Sequence, residues 1–252
     1  MGMLKNRQRT DIAMLPSYTV RESPKAKHVS LKVSVAGSLE VVVPQGYDRT
    51  TIPAILQRKQ RWINRVTQQI ETRQSLAGLD QSDKLPEQLC LQAIDQTWRV
   101  SYCPTALPGV RTIEQTDAAL ALFGQVNDQA ACQNALRQWV TVKAQQHLIP
   151  WLETLSSELD LPFTKASIRG QKTRWGSCSN RKTISVNCKL LFLPADLVRY
   201  VLVHELCHTI HLNHSADFWA LVASYEPNYR QLDANLHDAR YYVPLWMEVG
   251  KG

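Results

Sequence analysis

His204-Glu205-Leu206-Cys207-His208-Thr209-Ile210-His211-Leu212-Asn213-His214 opens with an H-E-x-x-H pattern and ends on His214, six residues after it. On a helix, residues four apart sit one above the other, so His204 and His208 point the same way. Two imidazoles so placed can grip one tetrahedral Zn²⁺ at about 2.0–2.1 Å each. Glu205 stands one step round the helix, where it can hold a water activated by the ion and take its proton. The residues upstream read as that helix. Pro194 suits a first turn because it has no N–H to lose, and Asp196 favours the positive end. Leu197, Val198, Val201 and Leu202 supply an apolar stripe at helical spacing. A glutamate on such a buried face is an unexplained burden for a purely structural helix, and a functional residue beside a metal.

The third ligand depends on how the helix ends. Continued straight, it would carry His214 about 15 Å along the axis from His204, beyond the reach of a shared ion. Asn213 suits a left-handed terminator, and a turn there would swing His214 back. His214 is therefore the expected third ligand, with Glu226 as the alternative. His211 is expected to serve as a pocket wall or surface residue. Three imidazoles favour zinc, with Ni²⁺ and Co²⁺ as possible substitutes.

The 252 residues are 44% apolar and 20% charged, enough for a real core, and the net charge of +7 favours anionic partners. No apolar run approaches the ~20 residues of a membrane span, and the first residues lack a signal-peptide core, so a cytoplasmic protein with no membrane partner is expected. Six cysteines (Cys90, Cys103, Cys132, Cys178, Cys188, Cys207) are scattered without a C-x-x-C pair and read as mostly buried thiols. Cys178 and Cys188 could face each other across a hairpin, but two thiolates do not complete a zinc site.

Residues 1–16 carry no periodicity and read as a flexible lead-in. Val29, Leu31, Val33 and Val35 alternate with polar residues, Ala36-Gly37-Ser38 turns, and Leu39, Val41 and Val43 alternate again, which predicts a β-hairpin. A helix is expected from about Asp48 to Arg73, with Ile52, Ile55, Leu56, Ile63, Val66 and Ile70 inward. Arg58, Lys59, Arg61 and Arg65 lie outward, as a solvated face or a phosphate-binding stripe. After a polar connector, Leu89–Ala93, Thr97–Tyr102, Arg111–Glu114 and Ala118–Leu122 predict a small antiparallel sheet. A long helix follows over 127–159, with Pro150 expected to kink or split it. Ser167-Ile168-Arg169 and Thr183–Asn187 predict two short strands before the H-E-x-x-H helix, with an edge to which an extended peptide could add. Ser215 should cap a last helix carrying Phe218, Trp219, Leu221 and Val222.

Lys172-Thr173-Arg174-Trp175-Gly176-Ser177-Cys178, the short strand, His204-Glu205-Leu206-Cys207-His208, and Asn213-His214-Ser215 with Phe218-Trp219 together resemble the YgjP-like metallopeptidase family, related more distantly to SprT-like proteases. The resemblance runs from about Tyr18 to Trp246, with 76–127 unspecific. The histidine spacing also equals that of metzincins, which place Gly where this chain has His211. The YgjP-like resemblance implies an α+β fold in which a short sheet covers the active-site helix, a zincin-like site with ligands at His204, His208 and His214, and a hydrolase acting on a peptide or protein substrate. It implies activity on nucleotides as an alternative. The expected organisation is the lead-in at 1–16, a β-rich region with one basic helix at 17–125, and a zincin-like metal-binding catalytic domain at 126–252. Arg174 is a candidate catalytic residue: it could stabilise an oxyanion, bind a substrate carboxylate or phosphate, or pair with a structural carboxylate. Lys172 and Ser177 have no role that follows from spacing, and Trp175 reads as core. The alternatives to a peptidase are a metal-dependent nucleotide phosphoanhydride hydrolase and a nucleic-acid-associated protein with a structural metal.

Overall fold

The structure, a computed structural model, describes residues 17–33, 38–60, 63, 64, 67 and 85–247. The expected lead-in, the hairpin turn at 36–37, Arg61, Arg65, Val66, Ile70 and most of the polar connector lie outside the described residues. Two compact units emerge, one within Met1–Thr72 and one within Arg73–Gly252.

In the first unit, β2 (Ser30–Val33) and β3 (Leu39–Val43) form the expected antiparallel pair, with Leu31 opposite Val41. An additional strand, β1 (Tyr18–Glu22), pairs parallel to β3 and makes β3 central. That position fits its residues, since Leu39, Val41, Val42 and Val43 are all buried. Asp48 caps the next turn by accepting from Thr50 N. Helix α1 follows, with described helical residues 52–60, 63, 64 and 67. Ile52, Leu56 and Ile63 are buried, at the predicted spacing, while Arg58 and Lys59 are exposed.

The second unit begins with a four-stranded sheet of order β4-β5-β7-β6, made of β4 (Gln88–Leu91), β5 (Gln96–Pro104), β6 (Val110–Gln115) and β7 (Ala119–Gly124). This sheet is mixed rather than antiparallel, because β5 and β7 run parallel. β6 and β7 form the hairpin, closed through Asp117 and Ala118 in the left-handed region. β7 carries buried Leu120, Ala121 and Leu122 and takes the inner place, leaving the more polar β6 at the edge. The sheet's apolar face shares one core with the elements that follow, so it belongs with them and not with the N-terminal strands.

Helix α2 (Gln129–Glu158) starts at Asp128, whose side chain accepts from Ala131 N. It remains one helix although Pro150 lies inside it. The proline is exposed, so its ring faces solvent, and Leu148, Ile149, Leu152 and Leu155 on either side are buried. Thr154 Oγ1 donates to the Pro150 carbonyl at 3.0 Å. Core packing on both sides outweighs one missing backbone hydrogen bond.

The third sheet has the order β8-β10-β9, with β8 (Lys165–Arg169) parallel and β9 (Gly176–Cys178) antiparallel to β10 (Thr183–Asn187). β9, a strand that the sequence reading did not include, is an edge strand, as is β8 on the other side. Cys178 sits opposite Ile184, and Cys188 follows the far end of β10, so the two cysteines do not face each other. Helix α3 (Ala195–Cys207) follows with Pro194 as its N-cap. Its buried face (Val198, Leu202 and Leu206) joins Leu136 and Val140 of α2 and Val186 of β10 in the core. Helices α4 (Ala216–Tyr225) and α5 (Tyr229–Leu236) complete the described fold, which is α+β. Among the described residues no helix is long and apolar enough to cross a membrane.

One buried side chain fixes the loop beside α3. Asn187 is 2% exposed. Its Oδ1 accepts from Lys189 N, and its Nδ2 donates to the carbonyls of Gln171 and Arg174 at 2.9 and 2.7 Å. Its backbone N–H donates to the Trp175 carbonyl at 2.9 Å. Replacing it orphans buried polar groups, which usually costs about 1–3 kcal/mol each. Asn187→Ala is expected to lower stability by roughly 2–4 kcal/mol in urea unfolding, and to increase hydrogen exchange in the 171–175 loop.

Candidate metal centre

Helix α3 ends earlier than the sequence implies. His208 is its C-cap, and Thr209 N, Ile210 N and His211 N donate back to Leu206, Cys207 and Cys207 carbonyls. These tightened bonds end the helix at the second histidine. Asn213, the expected terminator, is not in the left-handed region. Ser215 then starts α4 by accepting from Phe218 N. The bend at 208–215 brings His214 back over α3.

The ring nitrogens of His204, His208 and His214 lie within 4.8 Å of one another. His214 Nε2 is 3.1 Å from His204 Nε2. Two ligands about 2.0–2.1 Å from one tetrahedral ion would be separated by about 3.3 Å, so the pair needs only a small adjustment. His208 Nδ1 lies 2.9 Å from the His211 carbonyl, which assigns that nitrogen as donor and leaves Nε2 for a ligand. His211 thus contributes its backbone to the site.

Aromatic rings hold the imidazoles in place. His208 stacks on Phe218 at 4.4 Å, and His214 on Trp219 at 5.4 Å. Trp219 in turn stacks on Tyr229 at 5.3 Å. The buried Tyr200 ring meets His204 edge-on at 5.9 Å, and its hydroxyl donates to Asp233 at 3.0 Å. Burial, with the charge that His208 and His214 would add, pushes His204 down to about 3. Burial also lowers His208. Neutral imidazoles are the form a metal requires.

Glu205 is 6% exposed, and its Oε2 is buried without a hydrogen-bond partner. Burial pushes its carboxyl up to about 8, against the opposing pull of Arg174. The main chain of β9 lies directly on it: a Cβ built on Gly176 would fall 2.6 Å from Glu205 Oε1. Three imidazole donors beside an orphaned carboxylate oxygen fit a divalent cation.

The other candidates separate cleanly. Glu226, the alternative ligand, lies with Oε1 2.7 Å from Arg199 Nε, an ion pair outside the metal cluster. Trp175 is only half-buried and lines the cavity above His204, where the sequence reading had it as core. That cavity, about 320 Å³, is also walled by Gly176, Tyr200, Glu205, His214 and Trp219. Arg174 is exposed and lines a neighbouring cavity. Burial raises Cys178 to about 11 and Cys207 to about 12, so neither is a ready thiolate ligand. Sequence reasoning missed Asp233 and Tyr200, and gave Trp219 no role at the site. Their placement depends on how α3, α4 and α5 pack, and no local motif reports it.

A family model described as YgjP-like, metallopeptidase domain, matches residues 27–239. The chain belongs to the YgjP-like family. Its metallopeptidase-type domain spans most of both compact units, and the H-E-x-x-H helix, the bend to His214 and the loop carrying Arg174 all fall inside the match. None of the curated proteins compared with the chain matches it.

The raised carboxyl of Glu205 has a measurable sign. Between the ordinary value of 4.5 and about 8, the unfolded chain has lost a proton that the folded, metal-stripped chain keeps. Stability therefore falls as pH rises through that window. Glu205→Gln removes the titration, so in chelator-treated protein it is expected to be the more stable form at pH 8, on the order of a few kcal/mol, with the gap closing toward pH 4. Thermal unfolding of both forms across this range checks it.

Proposed function

We propose that this YgjP-like domain is a zinc-dependent peptidase whose metal is held by His204, His208 and His214, with Glu205 as general base. The observation that carries the reading is the convergence of three imidazoles beside a buried carboxylate with an unsatisfied oxygen. Bound Zn²⁺ would supply Lewis acidity, polarising a carbonyl and bringing the pKa of water toward ~7.

This chain's residues supply the remaining steps. Glu205 accepts a proton from the attacking water as its oxygen bonds to the scissile carbonyl carbon. It then delivers that proton to the amine as the C–N bond breaks, so that atoms and protons balance. A carboxyl raised toward neutrality suits both directions of transfer. The unpaired side of edge strand β9 offers main-chain groups to an extended peptide, beside the same carboxylate. Trp175 and Trp219 flank the cavity. The match to a metallopeptidase family supports a peptide over other acyl substrates.

A second reading, hydrolysis of a nucleotide phosphoanhydride, draws on one observation, the basic cavity next to the histidines. Mononuclear histidine sites are less suited to it than carboxylate-bound Mg²⁺. Nucleoside triphosphates and a peptide library, incubated side by side with the parent and Glu205→Gln, separate the two by which substrate gives a Glu205-dependent product.

Two outcomes are expected. Purified protein should carry close to one zinc per chain by elemental analysis, and His214→Ala should lose most of it. Glu205→Gln should keep the metal and lose turnover by at least about a hundredfold, in line with general-base contributions. Undiminished turnover would remove Glu205 from the mechanism. Gly176→Ala, which forces the carboxylate or β9 to move, should also retain metal and lose activity.

A further inference from the structure

A second cavity, about 510 Å³, adjoins the one above His204, and the two share Trp175, Asp233 and Leu236 as walls. Lys172, Arg174, Lys189 and Arg240 line it, four cations against the single carboxylate of Asp233, which already accepts from Tyr200. Lys189 and Arg240 have contacts of their own and add charge. Lys172 and Arg174 are exposed at the rim, on a loop that buried Asn187 clamps at both ends. Their backbone is thus ordered before any ligand arrives, the condition under which charged side chains bind with least loss of entropy.

We propose that this cavity is an anion subsite of the same centre, receiving a carboxylate of the peptide substrate close to the scissile bond. The proposal rests on the peptidase reading and narrows its substrate class to peptides with an acidic side chain or a free C-terminal carboxylate on that side. Arg174 offers a planar fork matched to a carboxylate, and Lys172 a mobile point charge. Arg174 does not line the cavity of His204 and Glu205, so its position suits a substrate anion rather than the reacting carbonyl. Ala216, Ala220 and Ala223 with Trp219, Tyr229 and Arg230 line a third groove that also reaches Asp233.

Binding and turnover are read separately. Acetyl-glutamate, its neutral isostere acetyl-glutaminamide and inorganic phosphate are titrated into the full chain by ligand-observed NMR, against the double variant Lys172→Gln/Arg174→Gln. Both positions are exposed, so the variant should fold, and its melting temperature verifies this. Acetyl-glutamate should bind in a salt-sensitive way, acetyl-glutaminamide should not, and the variant should bind at least tenfold more weakly. No acetyl-glutamate binding, or binding that the variant retains, overturns the subsite whether or not the chain cleaves peptides. Binding of phosphate alone overturns the assignment to a carboxylate.

In turnover, matched peptides carrying Glu or Gln on either side of the scissile bond, each with a free or amidated C-terminus, tell a side-chain carboxylate from a terminal one. An anionic group on one side should raise kcat/KM roughly tenfold to a hundredfold, mainly through KM, and the double variant should erase that preference. Equal kcat/KM for charged and neutral peptides overturns the substrate class. Cleavage of no peptide defeats the peptidase reading and leaves the anion subsite to stand or fall on the binding data.

Discussion

Burial of Glu205 and His204 on α3 is the constraint around which the second unit is built. Neither group is comfortable there. Desolvation drives the carboxyl toward its protonated form and the imidazole toward its neutral one. A helix can present such groups only if its other side is anchored strongly enough to offset the penalty. Val198, Leu202 and Leu206 are fully buried against α2 and β10, and burying each such side chain contributes about 1.5–3 kcal/mol. A cation held among the three rings would reverse the sign of the problem, because it favours an ionised carboxylate and neutral imidazoles together. The destabilised arrangement is therefore one that a metal would relieve.

Local pattern made α3 legible. The apolar spacing, the acidic first turn and the histidines at i and i+4 all report a single helix with a defined inner face, and the hairpin of β2 and β3 was equally plain from alternation. What failed were features set by long-range choices. Whether β5 and β7 run parallel depends on which strand takes the inner place, and that follows from packing on α2 rather than from either strand alone. Pro150 is a helix breaker by local chemistry but stays helical because its neighbours are buried on both sides. The end of α3 was misread because Asn213 carries turn chemistry that the chain does not use there. The chain instead stops by tightening onto Leu206 and Cys207 carbonyls, a device open to any sequence.

The site divides in the same way. The three histidines and Glu205 were named from the sequence, and the structure brings the three rings together and puts Glu205 on the wall of the cavity that His204 and His214 line. The supporting groups were not, since they come from elements far apart in sequence. Gly176 is needed because β9 passes so close to the carboxylate that no side chain fits, which becomes visible only once β9 is known to be a strand over α3. Tyr200 looks like one more apolar residue of the helix until α5 brings Asp233 to its hydroxyl.

These supports also explain how a general hydrolytic centre could acquire selectivity. Asn187 ends β10, caps the turn after it and holds the 171–175 loop, so the base of the basic rim is fixed by the same residue that leads the chain toward α3. Asp233, on the other side, lies on the walls of all three cavities around the centre. Its hydrogen bond from Tyr200 joins it to the ring packed against His204. A charge change at the rim is screened by water and by the neighbouring cations, whereas one at Asp233 would reach both the histidines and the anion cavity. Substrate preference could thus drift through Lys172 and Arg174 with little effect on the histidines, because Tyr200 and Phe218, which pack on the imidazoles, are buried whereas Lys172 and Arg174 are exposed.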